Sequence, residues 1–503
     1  MGDQFRHEIP RSAARECALI EASTTSAGSV DDGKISFLRV IAVIASWLGL
    51  AVTAWAIVRQ GTSWRTSIES PAIDTRRLFM LIAAAWALFA VAAWRVRRLP
   101  VWRAVVLVIA GSIGLQIIAF SAPPRTSDDL YRYVWDGRVQ AAGINPYRYS
   151  PADPELAHVR DPWLWPSAQQ CAQWRRPPGC TLINRPNVPT IYPPGAQTYF
   201  LALHYASPPE SRHKPPQIGA AILAVATTIG LVFLLNRLKR DPRLAVWWAW
   251  CPMVFLEAGN NGHIDVLGAL LLVAALGAFA LRRRVLSATL LGAASAVKLL
   301  PALALPAMLR RRPWAIAGSA GAVFALSYLP HVLSVGPAVL GYLPGYLAEE
   351  GYTEARRFAV LRLLVPDRLT VYAGIGLLVG TALVVLRRGD PARPWRGALV
   401  MTGITLAVAG PSYPWYGLLV VALVALDGRW EWLAVAAAGY PPYFAPNLGF
   451  DPLLTQQWSY GSALALVGTV SYCRWRATRS QRSTIVAANS ATVREEGKPL
   501  PHV

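Results

Sequence analysis

Apolar residues in this chain come in blocks of about 17–25, most of them bounded by arginine, and blocks of that length match the hydrocarbon thickness of a bilayer. A helix that is apolar all round has no polar face to offer water. With 54% hydrophobic residues, 15% charged residues and 20 Trp in 503 positions, the chain carries more apolar surface than a soluble core of this size needs. Spans are expected at 36–58, 78–96, 102–120, 217–235, 243–258, 263–281, 314–335, 371–387, 397–410, 414–427, 431–446 and 458–474. The fold class is therefore an all-α polytopic membrane protein with about 12 transmembrane helices. A net charge of +21 would suit a nucleic-acid partner, but its arginines cluster at the ends of apolar blocks. Arg95, Arg97 and Arg98 form one such cluster, Arg237, Lys239 and Arg240 a second, Arg282 to Arg284 a third and Arg310 to Arg312 a fourth. That is the positive-inside pattern, so the charge reports topology and no nucleic-acid partner is expected.

Placing those clusters and the tail after Cys473 in the cytosol leaves both termini inside and residues 121–216 outside the inner membrane. Only 59–77, with several arginines on the outer side, breaks the pattern. Residues 1–35 carry charges of both signs and no apolar core, so they read as a cytosolic tail and not as a signal peptide. Residues 36–474 form the transmembrane domain, and the polar stretch 475–503 is expected to be a disordered cytosolic tail. Residues 285–309 lie between two cytosolic arginine triplets and are too short for two spans, so a re-entrant hairpin broken near Pro301, with Lys298 near its tip, is expected. The outer segment 121–216 is rich in Pro, Trp, Tyr and Arg, and short interfacial helices are expected there. Within it, Cys171 and Cys180 are close enough in sequence to pair if the compartment is oxidising, or to remain two free thiols.

Chemistry concentrates in a few motifs. In SDDLYRYVWDGR, residues 127–138, helical spacing puts Asp129, Arg132, Tyr133 and Asp136 on one face. Adjacent carboxylates beside arginine make a candidate general base with a phosphate-binding neighbour, whereas a simple N-cap would account for Asp128 alone. GINPY at 143–147 and IYPPGAQ at 191–197 can serve as aromatic-belt anchors. EAGNNGHID at 257–265 sets Glu257, Asn261, His263 and Asp265 in a short outer connection, where a turn explains the glycines and asparagines but not the acids. Asp128, Asp129, His263 and Asp265 are hard ligands that would suit Mg2+ or Mn2+, although their spacing fixes no coordination geometry. Lys298, at depth in an apolar hairpin, needs an anionic partner, and a lipid phosphate would serve. PSYPWY at 411–416 is an aromatic outer turn.

An acidic pair after an early span, a long outer loop, YPP, E…NGHID, a Lys-Pro hairpin and PWY together resemble the bacterial polyprenyl-phosphate-sugar-dependent glycosyltransferases of the GT-C superfamily, in their mannosyltransferase-like branch. The resemblance covers residues from about 36 to 475. It implies a GT-C-like bundle and inverting transfer of a hexose, mannose as first choice, from a polyprenyl-phosphate donor to a hydroxyl on a glycan or lipid acceptor at the extracytoplasmic face. By similarity, Asp128 or Asp129 is the base, and Arg132, Arg138, Lys298, Arg356 and Arg357 are candidates to hold the phosphate. Candidates for sugar and acceptor contacts are Tyr131, Asp136, Asn145, Tyr192, Glu257, Asn261, His263, Asp265, Tyr413 and Trp415. Many relatives separate the two acids by one residue; here they are adjacent, which leaves the base unassigned between them. A transporter or flippase of lipid-linked sugars would place its charges near the midplane instead, and a lipid-linked glycan ligase or polymerase would share much of this layout.

Overall fold

The computed structural model describes residues 32–60, 74–310, 313–352 and 357–496. Most of the expected 1–35 tail lies outside them. Among the described residues every regular element is helical. We label α1 (Asp32–Arg59), α2 (Thr75–Val96), α3 (Val101–Phe120), α4 (Asp129–Ala141), α5 (Pro194–Ala206), α6 (Lys214–Arg237), α7 (Asp265–Ala280), α8 (Arg284–Val297), α9 (Pro313–Val335), α10 (Leu343–Glu349), α11 (Asp367–Arg388), α12 (Pro394–Ala409), α13 (Leu418–Asp427), α14 (Tyr440–Leu448) and α15 (Pro452–Glu496). Two compact units emerge, one of Arg39–Leu464 and one built from the chain on either side of it. The candidate site lies wholly in the first.

Among the described residues six segments are long and apolar enough to cross a membrane: within α1, α2, α3, α6, the run Pro313–Glu349, and α11. A seventh is made by the turn Val254–Asn260 together with α7 if that pair, bent by 118°, counts as one span. The expected spans at 397–410 and 414–427 appear as α12 and α13, of 16 and 10 residues. At 1.5 Å per residue α12 is about 24 Å long, short of a ~30 Å hydrocarbon core. Prolines and glycines divide these late segments, with Gly410, Pro411 and Pro414 ending one and opening the next. The expected break in 285–309 falls at Lys298, whose backbone is extended (φ −151°, ψ 142°). Pro301 lacks an N–H and its ring would collide with the Val297 carbonyl, so α8 stops there. A short helical turn, Leu300–Ala304, follows. Composition alone reads the chain after 475 as disordered, yet α15 continues as helix to Glu496. That stretch has no Gly or Pro to stop it.

The segment after α3 folds into short helices around an aromatic cluster of Tyr131, Tyr133, Trp135, Tyr192 and Phe200. Ile264, just before α7, and Val297, at the end of α8, complete this core, so residues 121–216 are not an independent domain. Helix α4 begins with the Ser127 hydroxyl accepting the Asp129 N–H at 3.2 Å. Gly195, at the start of α5, sits so close to α8 that a Cβ would lie 2.7 Å from the Ala296 carbonyl oxygen. That contact brings the YPP segment against Lys298.

Arg132 and Asp136 form a buried i,i+4 pair (Nε–Oδ1 2.9 Å) that ties α4 to residues 185–197. Arg132 Nη2 donates to the Val188 carbonyl at 3.1 Å, and Asp136 Oδ2 accepts from Thr190 (2.6 Å) and Gln197 (2.9 Å). Removing one member strands a buried charge. We expect Arg132→Met to lower stability by roughly 3–5 kcal/mol, and Arg132→Met/Asp136→Leu to recover much of that loss. Unfolding of the detergent-solubilised protein is the measurement; two variants of equal stability would contradict it.

Candidate active site

Where α3 gives way to α4, the turn holding Asp128 and Asp129 faces the bend between Val254–Asn260 and α7. The bend is built on a widened turn in which the Asn261 N–H bonds the Leu256 carbonyl five residues back, at 2.9 Å. Such turns are rare outside functional positions. Gly262 then takes φ +70°, which lets the chain reverse direction into α7. Consequently Glu257, Asn261, His263 and Asp265 project toward α4.

At the centre lies His263, fully buried. Its Nδ1 is 3.6 Å from Asp129 Oδ2 and its Nε2 is 3.5 Å from Glu257 Oε2. The imidazole stacks on Trp415 (4.1 Å between centroids), which stacks on Tyr413 (4.8 Å), and the Tyr133 hydroxyl lies 3.5 Å from Nδ1. Glu257 accepts from the Tyr440 hydroxyl (2.9 Å) and the Asn261 amide (2.8 Å). Asn261 also bonds the Thr126 hydroxyl at 2.7 Å, anchoring the bend to the residues just ahead of the acidic pair. Asn184 donates to Asp128 (3.2 Å) and to Asp129 (2.6 Å), clamping both carboxylates. With 13% of its side chain exposed, Asp129 is the more open of the two acids flanking His263; Glu257 keeps 1%. Burial, reinforced by the like charge of Asp128, pushes the Asp129 carboxyl up to about 6; Lys298, Arg185 and the Asn184 hydrogen bond oppose the rise.

Cations form the other side. Lys298 Nζ binds Asp265 Oδ2 at 3.0 Å and lies over the rings of Tyr192 (5.7 Å) and Tyr416 (5.2 Å). Arg185 binds Glu349 of α10 at 2.6 Å and donates to the Tyr413 hydroxyl at 3.3 Å. Its backbone sits at φ +44°, a left-handed conformation that a residue other than glycine adopts only when its surroundings enforce it. Among the described residues no group of three or more His, Cys, Asp or Glu is arranged to hold a metal ion. Asp265 is paired with Lys298 instead.

The structure thus gathers Asp128, Asp129, Tyr192, Glu257, Asn261, His263, Asp265, Lys298, Tyr413 and Trp415 around one bend. Other candidates lie apart. Arg132 and Asp136 are committed to each other, and Arg138 to Asp161 at 2.5 Å. Tyr131 packs edge-on against Trp163, and Asn145 caps a turn by accepting the Tyr147 N–H at 3.1 Å. Arg357 forms an ion pair with Glu350 and bonds the Ser412 hydroxyl at 3.2 Å. Arg356 lies outside the described residues. Cys171 and Cys180 are joined as a disulfide. Sequence reasoning missed Asn184, Arg185, Tyr416 and Tyr440. The first two sit in an arginine-rich loop with no motif around them, while Tyr416 is the last residue of the PSYPWY turn already singled out.

Residues 190–359, which include Tyr192, the 257–265 bend and Lys298, match the model of glycosyltransferase family 87, a GT-C-like family of membrane glycosyltransferases. No curated protein and no solved structure matches the chain. The match supports a multi-pass membrane glycosyltransferase acting on a sugar donor and an acceptor.

Because a like charge helps raise Asp129, Asp128→Asn should move its protonation midpoint below about 6. Burial leads the shift, so the midpoint should stay above the ordinary 3.8. Carboxyl infrared difference spectra across pH 3–8 would show it, and an unchanged midpoint would contradict the coupling.

Proposed function

We propose that the protein transfers a hexose, mannose as first choice, from a polyprenyl-phosphate carrier to a hydroxyl of a glycan or lipid acceptor at the extracytoplasmic face of the inner membrane, with inversion and with Asp129 as general base. The observation that carries this reading is the Asp129–His263–Glu257 arrangement facing Lys298 across the bend. Asp129 combines partial exposure with a carboxyl raised to about 6, which is what a base working near neutral pH requires. The family match over 190–359 supports the reaction class.

In the proposed step the acceptor oxygen attacks the anomeric carbon as its proton passes to Asp129 Oδ2. The bond from that carbon to the phosphate oxygen breaks, and its electron pair leaves with the prenyl phosphate. Lys298 and Arg185, the cations that act on Asp129, would meet that departing charge, sharing it with their partners Asp265 and Glu349; Arg132 and Arg138 are paired with Asp136 and Asp161 instead. Developing positive charge on the sugar ring is stabilised by the same carboxylates. His263 positions Asp129 through the buried contact to Glu257. The aromatic faces of Tyr192, Tyr413 and Tyr416 would receive the sugar and the first isoprene unit.

Membranes containing the protein, offered a radiolabelled polyprenyl-phosphate mannose, should label a glycan or glycolipid. Transport of the label without a new glycosidic bond would refute the transferase reading. Asp129→Asn should lower kcat about 100- to 10,000-fold. An acid is an effective base only when deprotonated, so wild-type rate should fall as pH drops through about 6. Lys298→Ala should raise KM for the donor more than for the acceptor; equal effects would argue against its phosphate role.

A further inference from the structure

Beside α4 lies a cavity of about 550 Å³ bounded by α4, α5, residues 161–163 and the 207–216 turn. Its volume is in the range of sites that hold small molecules, about 300–1,000 Å³. Its aromatic surface comes from Trp163, because Tyr133 and Phe200, which also line it, are each 1% exposed and stack face to face on one another. The lining also carries Arg138, Asp161, Glu210 and Arg212, two charges of each sign, with Arg138 and Asp161 already paired at 2.5 Å. The rim is held in shape by strained backbone: Glu210 (φ +58°) and Arg212 (φ +52°) are both left-handed without being glycine.

From this wall chemistry we infer that the cavity is a glycan-binding subsite, holding a sugar residue of the acceptor other than the one that receives the transferred hexose. The Trp163 indole together with charge-balanced hydrogen-bonding groups suits a neutral polyhydroxylated ring. An anionic lipid headgroup would find no excess of positive charge here, because each cation has an acidic counterpart within the lining. The cavity also adjoins the acid centre through a single side chain. Tyr133 stacks on Phe200 at 4.5 Å between ring centroids in the cavity wall, while its hydroxyl reaches to 3.5 Å from His263. This rests on the proposed transferase reading for the role of the ligand, but the binding itself does not require turnover.

The test uses the full-length protein in detergent micelles and an array of di- to tetrasaccharides. Three proteins are compared: Asp129→Asn, Ser211→Trp, which puts an indole into the cavity from the surface turn, and Trp163→Ala, which removes the aromatic platform. We expect oligosaccharide binding to persist in Asp129→Asn and to weaken about tenfold or more in both cavity variants. Persistence in the cavity variants, with loss in Asp129→Asn, would place the ligand in the acid centre and overturn the proposal. So would the absence of oligosaccharide binding by the wild-type protein, or a co-purifying phospholipid that only Ser211→Trp releases. Failure of the donor-labelling assay with cavity binding intact would refute the transferase reading alone.

Discussion

A buried imidazole set 3.6 Å from Asp129 and 3.5 Å from Glu257 is the contact around which the rest is arranged. A polar group in so apolar a setting is tolerated only when its partners are fixed in place. Nearly every neighbour contributes to that fixing. Tyr440 and Asn261 hold Glu257, Asn184 holds Asp129, and Trp415 covers the ring face. The requirement reaches into the backbone, where the widened turn before Asn261 and the left-handed Gly262 exist to aim these side chains at α4.

The same constraint explains why residues 121–216 are not a free-standing domain. Their aromatic cluster shares one core with Ile264 and Val297, which adjoin the bend and Lys298 respectively. The same core therefore holds Asp129 against the bend and α8. Rigidity of this kind suits a site whose base and cations must face one another across a narrow gap.

Much of this was legible in the chain itself. The EAGNNGHID run declared itself because acids at the ends of apolar blocks have no packing reason to be there. The acidic pair and Lys298 stood out by the same argument. What misled was treating proximity in sequence as proximity in function. Arg132 and Arg138 follow the acids within one helix, yet helical geometry turns them toward Asp136 and Asp161, where they serve the fold. Arg185 and Asn184 carry no sequence signal, because their relevance comes from a loop that returns to the acidic pair some fifty-five residues later. Apolar composition also reports burial: α12 and α13 are apolar yet only 16 and 10 residues long, so length and composition among the described residues give six candidate spans where apolar blocks alone gave about twelve.

Sequence by itself determined that the chain is helical and membrane-embedded, and which short motifs carry charge against the cost of desolvation. Those properties are local, set by block length, by arginine at block ends and by residues that hydropathy forbids. Tertiary structure decided which of the charged residues meet. Pairing across 33 to 228 residues depends on bends, close helix approaches and buried hydrogen bonds, and no local pattern encodes those distances.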